Sequence, residues 1–399
     1  MPKESAKHGW LTANLIAQLT FGLIAMTICL PSMQEWAAGF GTSQAAVQLT
    51  FSGYLLGYGG MQLVYGPLSD RIGRKPVLIA GLVIALAASV LALLAPSIPW
   101  LIAARVLQGV GCAASMVIGR ALVQDFFEGS ERTRVMALVG MTMGLVPPGA
   151  TLLGGQLHVR IGWQANFALL AVLAALLLLA AWRLPASHRP AAAHEGPWLA
   201  QVLAGYAALA RVPAFAWYVL VLATAAATFF SFLGGAPIVL ARYGVTPDRL
   251  GWYIMAPPLA YILGNMLTTR LIRVRGEQFI MLMGQWVTLT SVAIVLVLGV
   301  AGVDSPLALS VPLVLLGIGH GLLIPPALVG TVGLVPALAG SASAVAGVMQ
   351  QLGGAIGGYT VGLVPHQGQT NLALAMLFWV SCSFAALVML RSRLRHAPA

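Results

Sequence analysis

The chain has 399 residues, of which 59% are hydrophobic and only 8% charged, with 21 Lys and Arg against 10 Asp and Glu. No water-soluble core of this size needs so large an apolar share, which excludes an ordinary globular protein and turns the net charge of +11 away from nucleic acid and towards a membrane surface. Cys29, Cys112 and Cys382 fall inside apolar runs with no CxxC or histidine cluster nearby, so disulfide and metal chemistry are set aside and no cofactor is expected.

Residues 1–10 are polar and basic, and the apolar run that follows is too long for a signal-peptide core and lacks a small-residue cleavage site. It reads as a retained first span. Charge-free stretches such as Pro76 to Ala104, Val135 to Val159 and Gln278 to Val303 each exceed the ~20 residues that a helix needs to cross ~30 Å of hydrocarbon. Lipid satisfies no backbone polar group, so repeated runs of this kind form a helical bundle. Charges, prolines and glycines punctuate twelve spans, at about 11–33, 44–65, 76–95, 98–123, 134–157, 165–184, 213–240, 249–270, 278–300, 307–331, 338–362 and 370–390. The fold class is therefore an all-α membrane protein with twelve transmembrane helices in two pseudo-repeated six-helix halves. Residues 1–184 form one six-helix bundle and 213–399 the other, and 185–212 form a cytoplasmic linker containing a short interfacial helix. Arg71 after span two and Arg270 at the end of span eight, half a chain apart, suggest the repeat.

The basic residues set the orientation. With both ends on one side, Lys3, Lys7, Arg71, Arg74, Lys75, Arg132, Arg134, Arg183, Arg189, Arg211, Arg270, Arg273, Arg275, Arg391, Arg393 and Arg395 share that side, and Arg160, Arg242 and Arg249 lie on the other. The positive-inside rule makes the crowded side, and both termini, cytoplasmic.

Polar residues inside the spans must face an interior or a cavity. Asn14 and Gln18 share a face of span one; Tyr54, Tyr58 and Gln62 share one of span two; Gln108, Tyr261, Asn265, Gln285 and Gln350 follow in later spans. These are the candidates for a small-molecule pocket, because tyrosine offers both a π-surface and a hydroxyl to partly apolar ligands. The loop Gly66-Pro67-Leu68-Ser69-Asp70-Arg71-Ile72-Gly73-Arg74-Lys75 ends span two. Its Asp70 is expected to cap a neighbouring helix or pair with an arginine, a contact available in one conformation only. Within span four stands Arg105-Val106-Leu107-Gln108-Gly109-Val110-Gly111, whose lone arginine is expensive in hydrocarbon and whose glycines admit a close neighbour. Span five carries Gly140, Gly144, Pro147, Pro148, Gly149, Gly154 and Gly155, the marks of a kinked, closely packed helix.

The loop after span two resembles the G-x-L-x-D-R-x-G-R-[KR] signature of the major facilitator superfamily, and Arg105 to Gly111 resembles its R-x-x-Q-G-x-G motif. The Pro147 to Gly155 stretch resembles the antiporter motif, although Ala150 and Thr151 stand where Gly-Pro would. Leu30-Pro31-Ser32-Met33, Arg120 to Asp125, Gly162-Trp163 with Phe167, and the Gly340 to Gly347 run add to the likeness. Together they look most like the bicyclomycin and chloramphenicol resistance (Bcr/CflA-type) drug/proton antiporters. That resemblance implies the major facilitator fold, a monomer in the bacterial inner membrane, and export of small amphiphilic molecules by alternating access in exchange for protons. It implies a conformational gate of Gly66, Asp70, Arg71, Gly73, Arg74, Arg120 and Asp125, and an antiporter-type helix bearing Pro147, Pro148, Gly154 and Gly155.

One departure matters for coupling. The group usually carries an acid in span one, where this chain has Thr27, which cannot take up a proton. Arg105, Glu35 beyond Pro31, and His320 in the middle of span ten are the remaining proton-coupling candidates. An imidazole is the one side chain that exchanges protons near neutral pH unperturbed, and the glycines flanking His320 leave room beside the ring. An importer or facilitator of a metabolite or siderophore-like solute is the competing function. A membrane enzyme or an ATP-driven pump would need a catalytic set or phosphate-binding loop that the sequence lacks, and a channel would need a ring of pore charges.

Overall fold

The computed structural model describes residues 2–185 and 198–395; the expected linker residues Arg189, Pro190 and Pro197 lie outside them. The chain divides into two compact units, residues 1–42 with 49–194, and 43–48 with 195–399.

The first unit contains α1 (Pro2–Thr27), the short α2 (Met33–Gly39), most of α3 (Gln44–Ile72), α4 (Arg74–Leu93), α5 (Ile98–Phe126), α6 (Gly129–Arg160) and α7 (Gln164–Trp182). The second contains α8 (Trp198–Ala210), α9 (Pro213–Arg242), α10 (Pro247–Ile254), α11 (Ala256–Arg275), α12 (Glu277–Val300), α13 (Pro306–Ser310), α14 (Leu313–Gly333), a 3₁₀ turn at Pro336–Leu338, α15 (Ala339–Gly362) and α16 (Gln369–Arg395). Among the described residues nine helices are long and apolar enough to cross a membrane. The polar and glycine-rich α3, α11 and α15 have 29, 20 and 24 residues, which suffices in length.

Proline chemistry accounts for where expected spans and observed helices differ. Span one is not continuous: α1 stops at Thr27 and α2 starts at Met33, with Pro31 in the break, because the residue before a proline is driven out of helical geometry. Span eight splits at Met255, just before Pro257 and Pro258, and span ten is interrupted before Pro312. Pro67 does the opposite of what its loop position suggests. It lies inside α3, which runs on to Ile72, and the Ser69 hydroxyl donates to the Gly66 carbonyl at 2.8 Å. Pro147 and Pro148 likewise stay within α6, where the Thr151 hydroxyl donates to the Pro147 carbonyl at 2.9 Å.

Close helix crossings rest on glycine in the same way in both units. A Cβ on Gly57 would strike the Val106 carbonyl, and one on Gly109 would strike the Tyr54 carbonyl, so α3 and α5 interlock reciprocally. In the second unit Gly264 meets the Ile318 carbonyl and Gly321 the Tyr261 carbonyl, which locks α11 to α14. Gly81 with Gly111 and Gly284 with Gly319 repeat the device for α4 on α5 and α12 on α14. This correspondence sets the register of the internal repeat. It pairs Tyr54 with Tyr261 and Gly57 with Gly264.

Candidate functional site

At one end of the first unit a single residue joins α3 to α4. Gly73 has φ +97°, a left-handed conformation that a side chain would strain, and it turns the chain so that Arg74 can face back. The Arg74 guanidinium pairs with Asp70, donates to the Ser69 hydroxyl at 2.6 Å and reaches Asp125 of α5 at 3.5 Å. Of Asp70's two expected contacts, the structure makes the arginine pair. One cation thereby bridges the carboxylates of two helices. Lys75 adds a tie absent from the expected gate: its ammonium donates to the carbonyls of Trp182 and Leu184 at 2.6 and 2.9 Å, where α7 has run out of amide partners. Arg71 and Arg120 are exposed, and Gly66 has the Val117 side chain 4.0 Å from its would-be Cβ.

The interior of the same unit holds a polar string around Arg105, which is fully buried. Its Nη1 donates to the Ala25 carbonyl at 2.8 Å and to Gln108 Oε1, and Gln108 passes the string on to Ser89 at 2.8 Å. The guanidinium also lies 4.4 Å from the centroid of the Tyr54 ring, a cation–π contact, and Tyr54 stacks on Tyr58 at 5.8 Å. Tyr54 donates to the Gly22 carbonyl at 2.6 Å. Arg105 Nε and Nη2 and the Tyr58 hydroxyl are buried without a partner. None of the ion pairs formed by the described residues includes Arg105. Buried donors left open beside a π-face are what a carbonyl, nitro or hydroxyl group of a ligand would satisfy.

Asn14 and Gln18 form a separate polar group and spend their amides on helix ties, to the Ala180 carbonyl at 3.1 Å and the Leu177 carbonyl at 3.1 Å. Gln18 also accepts from Ser115 at 3.4 Å. Gln62 is half-buried on α3. The Thr27 hydroxyl returns to the Leu23 carbonyl at 2.9 Å, while the Gly154 position presses on the Ile28 carbonyl in the break after α1. Gly155 beside it is buried. Glu35 is not simply solvated: its carboxylate takes the His158 imidazole of α6 at 2.9 Å.

In the second unit His320 is buried, with Nδ1 2.9 Å from the Leu316 carbonyl and Nε2 2.9 Å from the Ala225 carbonyl. Carbonyl oxygens only accept, so both contacts are hydrogen bonds when both ring nitrogens carry a proton; the neutral ring can satisfy one. The glycines on either side do not open space for a ligand as expected. Gly319 is filled by Thr288 and Gly321 by the Tyr261 backbone. Gln285 donates to the Val380 carbonyl at 2.9 Å and accepts from Ser383 at 3.1 Å. Asn265 leaves its Oδ1 buried and unpartnered one turn from Tyr261, and Gln350 is half-buried on α15. Outside the spans, burial and Asp304 push the Tyr243 hydroxyl up to about 12, so it stays protonated and donates to Asp304 at 2.9 Å.

Sequence reasoning missed Ser89, His158 and the use of Lys75. Ser89 sits in an apolar stretch with no motif around it, and His158 lies just past the Gly154–Gly155 pair, so only side-chain polarity marked them.

The family model described as Major Facilitator Superfamily matches residues 13–358. The chain is 30% identical over 374 residues to the multidrug resistance protein D of Escherichia coli (strain K12), covering 92% of each chain. It is 29% identical over 375 residues to a chloramphenicol resistance protein of Pseudomonas aeruginosa, covering 91% of this chain and 88% of that one. A crystal structure of the nucleoside transporter NupG superposes with a TM-score of 0.74 at 13% identity, over 96% of this chain and 99% of that one.

Proposed function

The chain belongs to the major facilitator superfamily, and from that premise we propose that it exports small amphiphilic, drug-like molecules across the bacterial inner membrane in exchange for protons. The observation that carries this reading is kinship over nine-tenths of the chain with proteins named for multidrug and chloramphenicol resistance. It favours export over the competing import of a metabolite.

The geometry supplies parts suited to the task. Asp70, Arg74 and Asp125 form a latch whose half-exposed Asp70 arm can open at little cost, since an exposed ion pair contributes at most about 1 kcal/mol. Arg105, Tyr54 and Tyr58 offer donors and π-faces to a ligand carrying polar oxygens on an apolar frame. The α6 prolines and Gly154, packed on the break after α1, make a bend that can shift during rocking. For the proton, His320 takes the place left by Thr27, because its imidazole can gain and lose a proton and a carbonyl stands 2.9 Å from each ring nitrogen to accept from it. Twelve spans, both termini in the cytoplasm and a monomeric working unit complete the proposal.

Proteoliposomes with an acidic lumen in an alkaline medium test it. Protons leaving through an antiporter should drive chloramphenicol inwards above equilibrium, and a protonophore should abolish that accumulation. Equilibration at the same rate with and without the gradient would leave a facilitator, not an exchanger.

A further inference from the structure

At the end of the first unit opposite the Asp70 loop, about 43 Å away along α3, α2 and the start of α7 enclose a hollow of about 280 Å³ that the transport reading does not use. Its walls are Glu35, Trp36 and Phe40 from α2 with Trp163 and Gln164 at the start of α7. The rings are arranged around one another: Trp36 meets Trp163 edge-on at 5.8 Å, and Phe40 meets Trp163 at 5.6 Å, tilted by 56°. The Ser32 hydroxyl accepts from Asn166 at 3.1 Å, which fixes α2 against α7 and so fixes the walls.

We propose that this hollow binds a small organic cation, an alkylated ammonium with an oxygen acceptor two or three bonds from the charge. The negative charge comes from Glu35. Its carboxylate is 63% exposed at the rim and held in place by His158, whose side chain is only 7% exposed. With Nε2–H donated to Glu35, the imidazole orients the carboxylate at the rim. Aromatic faces attract a methylated ammonium through the ring quadrupole, and that attraction grows where the site is partly desolvated. The Trp36 indole N–H, with the residue 1% exposed, has no partner, and an oxygen of a ligand that reached it would supply one. The volume lies just under the ~300–1,000 Å³ of drug-sized pockets, which selects a headgroup-sized molecule.

The test is binding of radiolabelled choline to the full chain in phosphatidylglycerol nanodiscs, with 3,3-dimethylbutan-1-ol as the neutral isostere. Saturable binding that the isostere fails to displace is expected. Glu35→Gln should weaken it at least about tenfold. Trp163→Leu should do the same, while Trp163→Phe, which keeps a π-face, should stay within about threefold of the parent. Phosphatidylcholine nanodiscs separate the ligand's sources: weaker choline binding there assigns the site to a lipid headgroup, unchanged binding to a soluble cation, and either supports the site. No saturable binding by the unaltered chain, or equal displacement by the isostere, overturns the proposal and leaves these rings as interfacial anchors. Transport is not measured, so the outcome is independent of whether drugs are exported.

Discussion

Arg105 is a charge buried without a carboxylate, and that combination is costly unless function demands it. Taking a guanidinium out of water costs several kcal/mol, which two acceptors and one aromatic face offset only in part. Arg105→Met should therefore leave the thermal midpoint in detergent within about 1 kcal/mol of the parent, or raise it, while abolishing drug flux. A helix tie would behave oppositely and melt early. Asp70→Asn makes a different residue-scale prediction. Its pair with Arg74 is half in solvent, so stability should shift by under about 1 kcal/mol, yet flux should fall because Arg74 loses one of the two carboxylates it bridges. For His320, a glutamine retains one donor and cannot change charge. His320→Gln should keep ligand binding and lose the response of flux to a pH gradient; an unchanged response in vesicles removes the residue from coupling.

At the scale of elements, glycines set the closest helix crossings within each unit. A Cβ on Gly109 has nowhere to go, because the Tyr54 carbonyl is backbone and cannot rotate aside. Gly109→Ala should destabilise by roughly 1–3 kcal/mol or more, as overpacking does, and should separate α3 from α5. Gly140, in the interior of α6, has nothing within 4 Å of its would-be Cβ. Gly140→Ala should leave the melting temperature unchanged or raise it by the equivalent of up to about 1 kcal/mol, since alanine restricts the unfolded chain more. Calorimetry or nano-scale fluorimetry on both variants separates a packing glycine from a permissive one. The same residue type thus has two opposite roles.

For the whole molecule, the orientation proposed from the distribution of Lys and Arg is open to direct mapping. In intact cells a membrane-impermeant maleimide should label Ala38→Cys, on the α2 side, and should reach Glu131→Cys, at the start of α6, only after permeabilisation. The opposite pattern would invert the molecule. Membrane residence and helical class were legible in the sequence, because each is written in local terms. Hydropathy over ~20 residues, a proline, or a charge in an apolar run needs no partner to be recognised. Partners were not legible. Asp70 could have capped a helix or met any arginine, and only the turn at Gly73 brings Arg74 onto it and Asp125 together. The sequence placed Glu35 near a surface, but a histidine 123 positions away in α6 became its partner through folding. The glycines beside His320 looked like space for a ligand and are filled by other helices. Composition and pattern thus determined what kind of molecule this is. Which polar group of one helix answers which of another was decided by tertiary structure, since a hydrogen bond depends on a separation of about 3 Å that no spacing between distant segments encodes.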